Sequence, residues 1–200
     1  MIAICVGIKN RTNQLIHCLI NSMNECYNNK QLILSVYDCG SKNIQTTKDY
    51  WKGEYILQTE KKQFSRAYSF NKAVEGTNCD NIFLCDADMT LPKDFIEQFS
   101  ENVAQNTIWF PICYSLHENK PRKINGEENG WWRDCGYGMV GCKRNDYWIL
   151  GGLNESFKEW GGEDNAFYDA VEKMKMRRVR KNSIGLFHNW HPHQWQEKYD

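Results

Sequence analysis

The chain has 200 residues, with 25 basic and 25 acidic side chains and a formal net charge of zero. That length suits one domain with a sizeable core, and the balanced charge gives no reason to expect nucleic acid or an anionic membrane surface as a partner. The opening MIAICVGIKNRTNQ lacks the basic start and long apolar run of a signal peptide, and no stretch is long enough to span a bilayer, so a cytoplasmic location with no membrane span is expected.

In chain order, IAICVGI (2–8) is an apolar strand, followed by a helix with Leu15, Ile16, Leu19, Ile20 and Met23 on one face. LILSVYD (32–38) and YILQTE (55–60) are further strands. SRAYSFNKAVEG (65–76) predicts a helix stopped by Gly76, and NIFLCDADM (81–89) a buried strand. A helix opened by Pro92 and a strand over 107–114 follow. This order predicts a doubly wound α/β sheet with helices on both faces. From about residue 115 the chain turns polar and reads as a long loop carrying Trp131 and Trp132. A short helix, a helix starting near Glu163, the basic run RRVRKN (a polar strand or edge) and IGLFHNWHPHQW close the chain. One domain, 1–200, is expected, with halves 1–114 and 115–200. The final QWQEKYD is not an obvious natural end, so a domain cut from a longer chain is expected. None of the nine cysteines forms a C-x-x-C pair, and they read as reduced thiols.

Three features suggest chemistry. The buried strand at 82–85 ends in Asp86 and Asp88, whose like charges repel unless a cation or donors lie between them. A surface turn explains a lone D-x-D equally well. In EWGGEDNAF, Glu163 and Asp164 occupy a first helical turn, where the helix dipole favours acids. Trp160 beside them suits a sugar ring, and one carboxylate could take a proton from a hydroxyl. His188, His191 and His193 fall within six residues, and imidazole with carboxylate suits a divalent transition metal.

Together these residues resemble the GT-A glycosyltransferases, which use nucleotide sugars. ICVGIKNRTNQLIHCL, VYDCGSKN, SRAYSFNKAVEG and FLCDADM follow the order of that superfamily's nucleotide-binding half. LGGLNESFKEWGGEDNAF is similar to the acceptor-side motif of β1,4-galactosyltransferases and bacterial chondroitin polymerase modules. The resemblance implies a GT-A fold, a UDP-sugar donor, a glycan acceptor and a Mn²⁺ or Mg²⁺ cofactor. It implies Asp88 and Asp86 at the metal, with Asp86 nearer the ribose, and His188 and His191 completing the shell. His188 departs from the galactosyltransferases, which carry Met there, and His193 has no counterpart. Asp38 would hold uracil or ribose, Arg66 would lie near base and phosphates with Asn71 close by, and the backbone at Val6 and Gly7 would line the nucleotide. Asp164 would be the general base of an inverting transfer. Glu163 would orient the acceptor, Trp160 would stack on it, and Trp131 and Trp132 would belong to a closing lid. Some retaining relatives carry WGGEN where this chain has WGGED, so the Asp favours inversion. A nucleotidyltransferase would need a Gly-rich basic loop after the first strand, which VGIKNRTNQ lacks, and a sugar-binding module would not need the acids and histidines together.

Overall fold

The computed structural model describes residues 1–157 and 161–192. The expected sugar platform Trp160 and the third histidine, His193, lie outside the described residues.

The apolar runs form a parallel set: β1 (Ile2–Ile8), β2 (Leu32–Asp38), β3 (Glu54–Thr59) and β4 (Asn81–Leu84), with β1 between β2 and β4. β1 is apolar throughout because both of its faces are covered. Its Ile2, Ile4, Val6 and Ile8 enter one core and Ala3 and Cys5 the other. The first core includes Leu15, Leu19, Ile20 and Met23 from a helix built of α1 (Thr12–Gln14), a π-type stretch Leu15–Ile20 and α2 (Asn21–Glu25). The second includes Ala67, Phe70, Ala73 and Val74 of α3 (Arg66–Glu75), which the Ser65 side chain caps by accepting from the Tyr68 amide. Gly7 is what lets α3 approach, since a Cβ there would stand 2.6 Å from the Ser69 Cβ.

After the two-residue β5 (Met89–Thr90), α4 (Phe95–Asn102) starts later than Pro92 suggested, because residues 92–94 form a turn closed by the Phe95 amide on the Pro92 carbonyl (3.1 Å). The expected strand over 107–114 is two strands, β6 (Thr107–Trp109) and β7 (Ile112–Leu116). Pro111 lies in the break, where no amide is available for a ladder. The break sends the chain from one sheet to another. The expected long loop also holds structure: α5 (Gly126–Asn129), then β8 (Gly130–Trp132), antiparallel to β7.

β9 (Val140–Lys143) returns antiparallel to both β4 and β6 and makes the sheet mixed. α6 (Arg144–Ile149), α7 (Glu163–Lys173), β10 (Arg177–Val179) and β11 (Asn182–His188) complete the chain. The large sheet runs β10-β6-β9-β4-β1-β2-β3 and the small one β5-β11-β7-β8. The expected halves therefore interleave, with strands from beyond residue 114 in both sheets. This is the doubly wound mixed α/β class read from the sequence. All nine cysteines are free, and among the described residues no helix is long and apolar enough to cross a membrane.

Candidate functional site

β1 pairs with β4 only as far as Cys5, where the Cys85 amide donates to the Cys5 carbonyl (3.0 Å). Beyond that point the ladder between the two strands stops and the chain turns through Asp86 and Asp88 at the carboxyl end of the sheet. Crevices past the carboxyl ends of strands are where such sheets take ligands. Val6 is fully buried, backbone included, whereas Gly7 is partly exposed, so of the two expected backbone contacts only Gly7 offers a ligand any surface.

Asp88 is brought to the histidines by strand pairing. β5 lies antiparallel to β11 with Met89 opposite His188. Asn189 fastens the junction by donating to the Asp88 carbonyl from its amide (3.0 Å) and its Nδ2 (2.6 Å). As a result His191 Nε2 lies 3.0 Å from Asp88 Oδ2 and His188 Nε2 lies 3.9 Å from Oδ1. Ligand atoms of Asp88, His188 and His191 all fall within 4.8 Å of one another. The Nδ1 atoms are engaged elsewhere, that of His188 with Ser115 Oγ (3.1 Å) and that of His191 with the Pro192 carbonyl (2.9 Å). Outer-shell bonds of this kind fix ring orientation and turn Nε2 inward.

The electrostatics suit a cation. Asp88 Oδ1 is buried without a hydrogen-bond partner among the described residues, a rare condition that points to a missing ligand. Burial opposes ionisation of the Asp88 carboxyl, but the His191 hydrogen bond and the fields of both histidines outweigh it and hold the carboxyl below its usual value. Burial pushes His188 down to about 4, so its imidazole is neutral at pH 7. The hydrogen bond to Asp88 raises His191. One carboxylate and two imidazoles are a donor set for a divalent transition metal.

Asp86 does not join this cluster. Arg66 donates to Asp86 Oδ1 from Nε (3.3 Å) and Nη2 (3.2 Å), to Glu163 Oε1 from Nη1 (3.2 Å) and to the Gly138 carbonyl from Nη2 (2.7 Å). The expected phosphate-side cation is instead a buried brace between the end of β4 and the start of α7. Glu163 is 2% exposed. It points inward to Arg66, and its Oε2 has no partner among the described residues.

Asp164 is half-buried at the first turn of α7. Its Oδ2 accepts from the Tyr137 amide (2.9 Å) and its Oδ1 from the Asn165 amide (2.9 Å). The two glycines before it are required by conformation. Gly161 and Gly162 have φ of +98° and +93°, and a Cβ on Gly162 would meet the Phe157 ring at 2.8 Å.

Two expected nucleotide contacts are committed elsewhere. Asp38 is 1% exposed. Its carboxylate accepts from the amides of Gly40 (3.0 Å) and Ser41 (2.9 Å) and from the Ser41 hydroxyl, an Asx-type turn. It shapes a cavity of about 340 Å³ at the ends of β2 and β3, lined also by Ile44, Thr59 and Lys61. Asn71 uses its whole hydrogen-bonding capacity internally. Nδ2 donates to the Leu153 carbonyl (2.9 Å) and Glu155 Oε1 (2.8 Å), while Oδ1 accepts from Tyr147 Oη (2.6 Å) and the Leu153 amide (3.0 Å). It clasps the loop after α6 and is not free for a nucleotide.

The tryptophan pair divides by strand alternation. Trp132 packs edge-on to Tyr114 (5.4 Å) in the small sheet's own apolar cluster. Trp131 is 45% exposed with its ring 5.1 Å from that of His117. Strand register puts Trp131 opposite Ser115, and Ser115 opposite His188. Both tryptophans therefore sit on a paired strand and not on a free lid.

One residue of the site was not anticipated. Arg133, next after Trp132, is half-buried, and its Nη2 lies 3.3 Å from Ser115 Oγ and 3.5 Å from His188 Nδ1. It pairs with no carboxylate among the described residues. An arginine beside two tryptophans was the available signal.

The chondroitin N-acetylgalactosaminyltransferase family description matches residues 2–200. Human chondroitin sulfate synthase 3 is 29% identical over 215 aligned residues, which cover 94% of this chain and 24% of that protein. Human chondroitin sulfate N-acetylgalactosaminyltransferase 2 is 24% identical, covering 96% of this chain and 40% of that one. The chain thus spans well under half the length of these relatives. Among solved structures, Staphylococcus aureus TarS 1–349 in complex with UDP-GlcNAc superposes with a TM-score of 0.71 at 9% identity, over 100% of this chain and 61% of that one. The mannosyltransferase PcManGT from Pyrobaculum calidifontis, in complex with GDP-Man and Mn²⁺, gives 0.67 at 14% identity, over 94% and 56%. At those identities the likeness is one of fold, the GT-A fold, and the family match over nearly the whole chain supplies the rest: the chain belongs to the chondroitin N-acetylgalactosaminyltransferase family.

Proposed function

We propose that this chain is a metal-dependent glycosyltransferase module that moves N-acetylgalactosamine from its UDP conjugate to a hydroxyl of a glycan acceptor, with inversion. The observation that carries the reading is the Asp88–His188–His191 cluster at the carboxyl end of the sheet, with its unpartnered carboxylate oxygen. The family description supports the donor sugar, and the complex of TarS with UDP-GlcNAc supports a UDP-sugar.

Asp88, His188 and His191 would hold the divalent ion, Mn²⁺ or Mg²⁺, which when bound neutralises charge developing on the departing diphosphate. With His188 neutral, that ion leaves the cluster net positive. Arg66 adds little outward field because Asp86 and Glu163 flank it. Arg133 has no such partner among the described residues, and a half-buried guanidinium without a counter-ion there is suited to the diphosphate. Asp164 takes the proton from the acceptor hydroxyl as the hydroxyl oxygen bonds to the anomeric carbon and the bond from that carbon to UDP breaks. Asp38 acts through the shape of its loop.

Thermal unfolding with UDP and UDP-N-acetylgalactosamine, each with Mn²⁺, Mg²⁺ or EDTA, tests the reading. Stabilisation that requires both nucleotide and metal is expected, and indifference to every nucleotide would reject it. The Arg133→Gln variant should bind UDP about tenfold more weakly, the scale of one lost charge-assisted hydrogen bond, with binding of uridine unchanged. Calorimetric titration reads both, and equal UDP affinity would remove Arg133 from the diphosphate site.

A further inference from the structure

The basic run noted in the sequence has no part in the site described so far. Residues 173–181, KMKMRRVRK, hold six cations and no acid in a chain of zero net charge. At their centre is β10, an outer strand of the large sheet. Two of the six cations have internal partners. Arg178 packs over the Tyr168 ring (4.6 Å) and pairs with Glu172 (3.1 Å). Arg180 packs over Tyr137 (4.5 Å) and donates to the carbonyls of Asp134 and Gly136. The two tyrosine rings stack on each other at 3.8 Å.

The other four, Lys173, Lys175, Arg177 and Lys181, are exposed and form no ion pair among the described residues. Like charges so concentrated repel and do nothing for the fold. Their position ties them to the site. Arg180 holds the carbonyls just ahead of Tyr137, and the Tyr137 amide donates to Asp164 Oδ2. The basic edge and the carboxylate expected to receive the acceptor's proton are therefore joined through one short loop.

We propose that the β10 edge is a docking surface for an acidic polysaccharide, the acceptor chain itself. Its carboxylate or sulfate groups would lie against Lys173, Lys175, Arg177 and Lys181 while its terminal sugar reaches Asp164. The identity of the polymer as acceptor rests on the glycosyltransferase reading above. A glycan fits better than a nucleic acid because the cations form one short strip on an otherwise balanced surface, whereas nucleic-acid sites spread a basic field over a whole face. Cations on an edge strand also deter strand pairing between molecules, and the experiment separates that use from docking.

The test compares wild type with K173Q/K175Q/R177Q/K181Q by calorimetric titration with short hyaluronan oligosaccharides, in the absence of nucleotide and metal. Carboxyl-reduced oligosaccharides and duplex RNA serve as controls. Wild type should bind the acidic oligosaccharide more tightly than either control, and the binding should weaken as salt rises. The variant should lose about tenfold or more in affinity and most of the salt dependence, since several screened contacts vanish together. Its thermal response to UDP with Mn²⁺ should be unchanged. Absence of wild-type binding, equal affinity in the variant, equal binding of the reduced sugar, or tighter binding of RNA would each overturn the proposal. A variant that self-associates yet binds the oligosaccharide normally would assign the cations to edge protection and overturn it too. Because no donor is present, the titration reads the surface apart from the reaction: a wild type that binds the oligosaccharide but transfers no sugar counts against the proposed function, and a wild type that transfers sugar without binding the oligosaccharide counts against this surface alone.

Discussion

Replacing Asp88 with alanine should abolish metal-dependent binding of UDP and leave the protein folded. Asp88 is the sole carboxylate in the cluster, and without it the two imidazoles offer no negative charge to a divalent ion. The fold should tolerate the change because Asp88 contributes little net stability. Its Oδ1 is buried without a partner among the described residues, and that desolvation offsets much of what the His191 contact returns. The readout is thermal unfolding. Ligand at a hundred times its dissociation constant adds about 2.7 kcal/mol, which for a chain of this size shifts the melting temperature by about 5 to 10 °C. Wild type should show that shift with UDP and Mn²⁺ and lose it in EDTA; Asp88→Ala should show none under either condition. An unchanged shift in the variant would sink the metal assignment.

Asp164→Asn should retain donor binding and lose transfer. Asparagine keeps the shape of the side chain, and its Oδ1 can still accept from the Tyr137 amide that Asp164 engages at 2.9 Å. What it cannot do is accept a proton from the acceptor hydroxyl. Removing a general base slows a reaction by about 10² to 10⁴-fold, so kcat should fall by that range while the UDP–Mn²⁺ shift stays at the wild-type value. Transfer at the wild-type rate would show that Asp164 is no base. The two variants are complementary, since the first should silence the donor site and the second should leave it intact.

The strands of the parallel set and the starts of α3 and α7 were legible because their signals are local: apolar runs, Ser65 before a helical pattern, two glycines before two acids. Asp88, His188 and His191 were found as residue types, but what unites them is the β5–β11 register, which no local pattern encodes. The residues whose internal bonds the sequence did not foretell share one cause, an ambiguous side chain whose partner is remote in sequence or hidden by burial. Asp38-Cys39-Gly40-Ser41 is equally the sequence of a ligand loop and of an Asx turn, and the structure shows the turn. Arg66 was read as a phosphate contact because the acids that take it up lie 20 and 97 residues away. Asn71 gave no hint of Tyr147 and Leu153. Arg133 went unnoticed because its importance comes from Ser115 and His188, which are neighbours only across the small sheet.

The pairing of β5 with β11 also sets the order in which the molecule becomes competent. Asp88 is made early, and its two imidazole partners arrive about a hundred residues later, on and just after the last strand. During synthesis the parallel set can close over its apolar faces while the cluster still has one ligand of three. The cation site is therefore among the last features of this fold to form as the chain is made. An ion held there would act as a latch on β11, and its capture would report that the two sheets have come together.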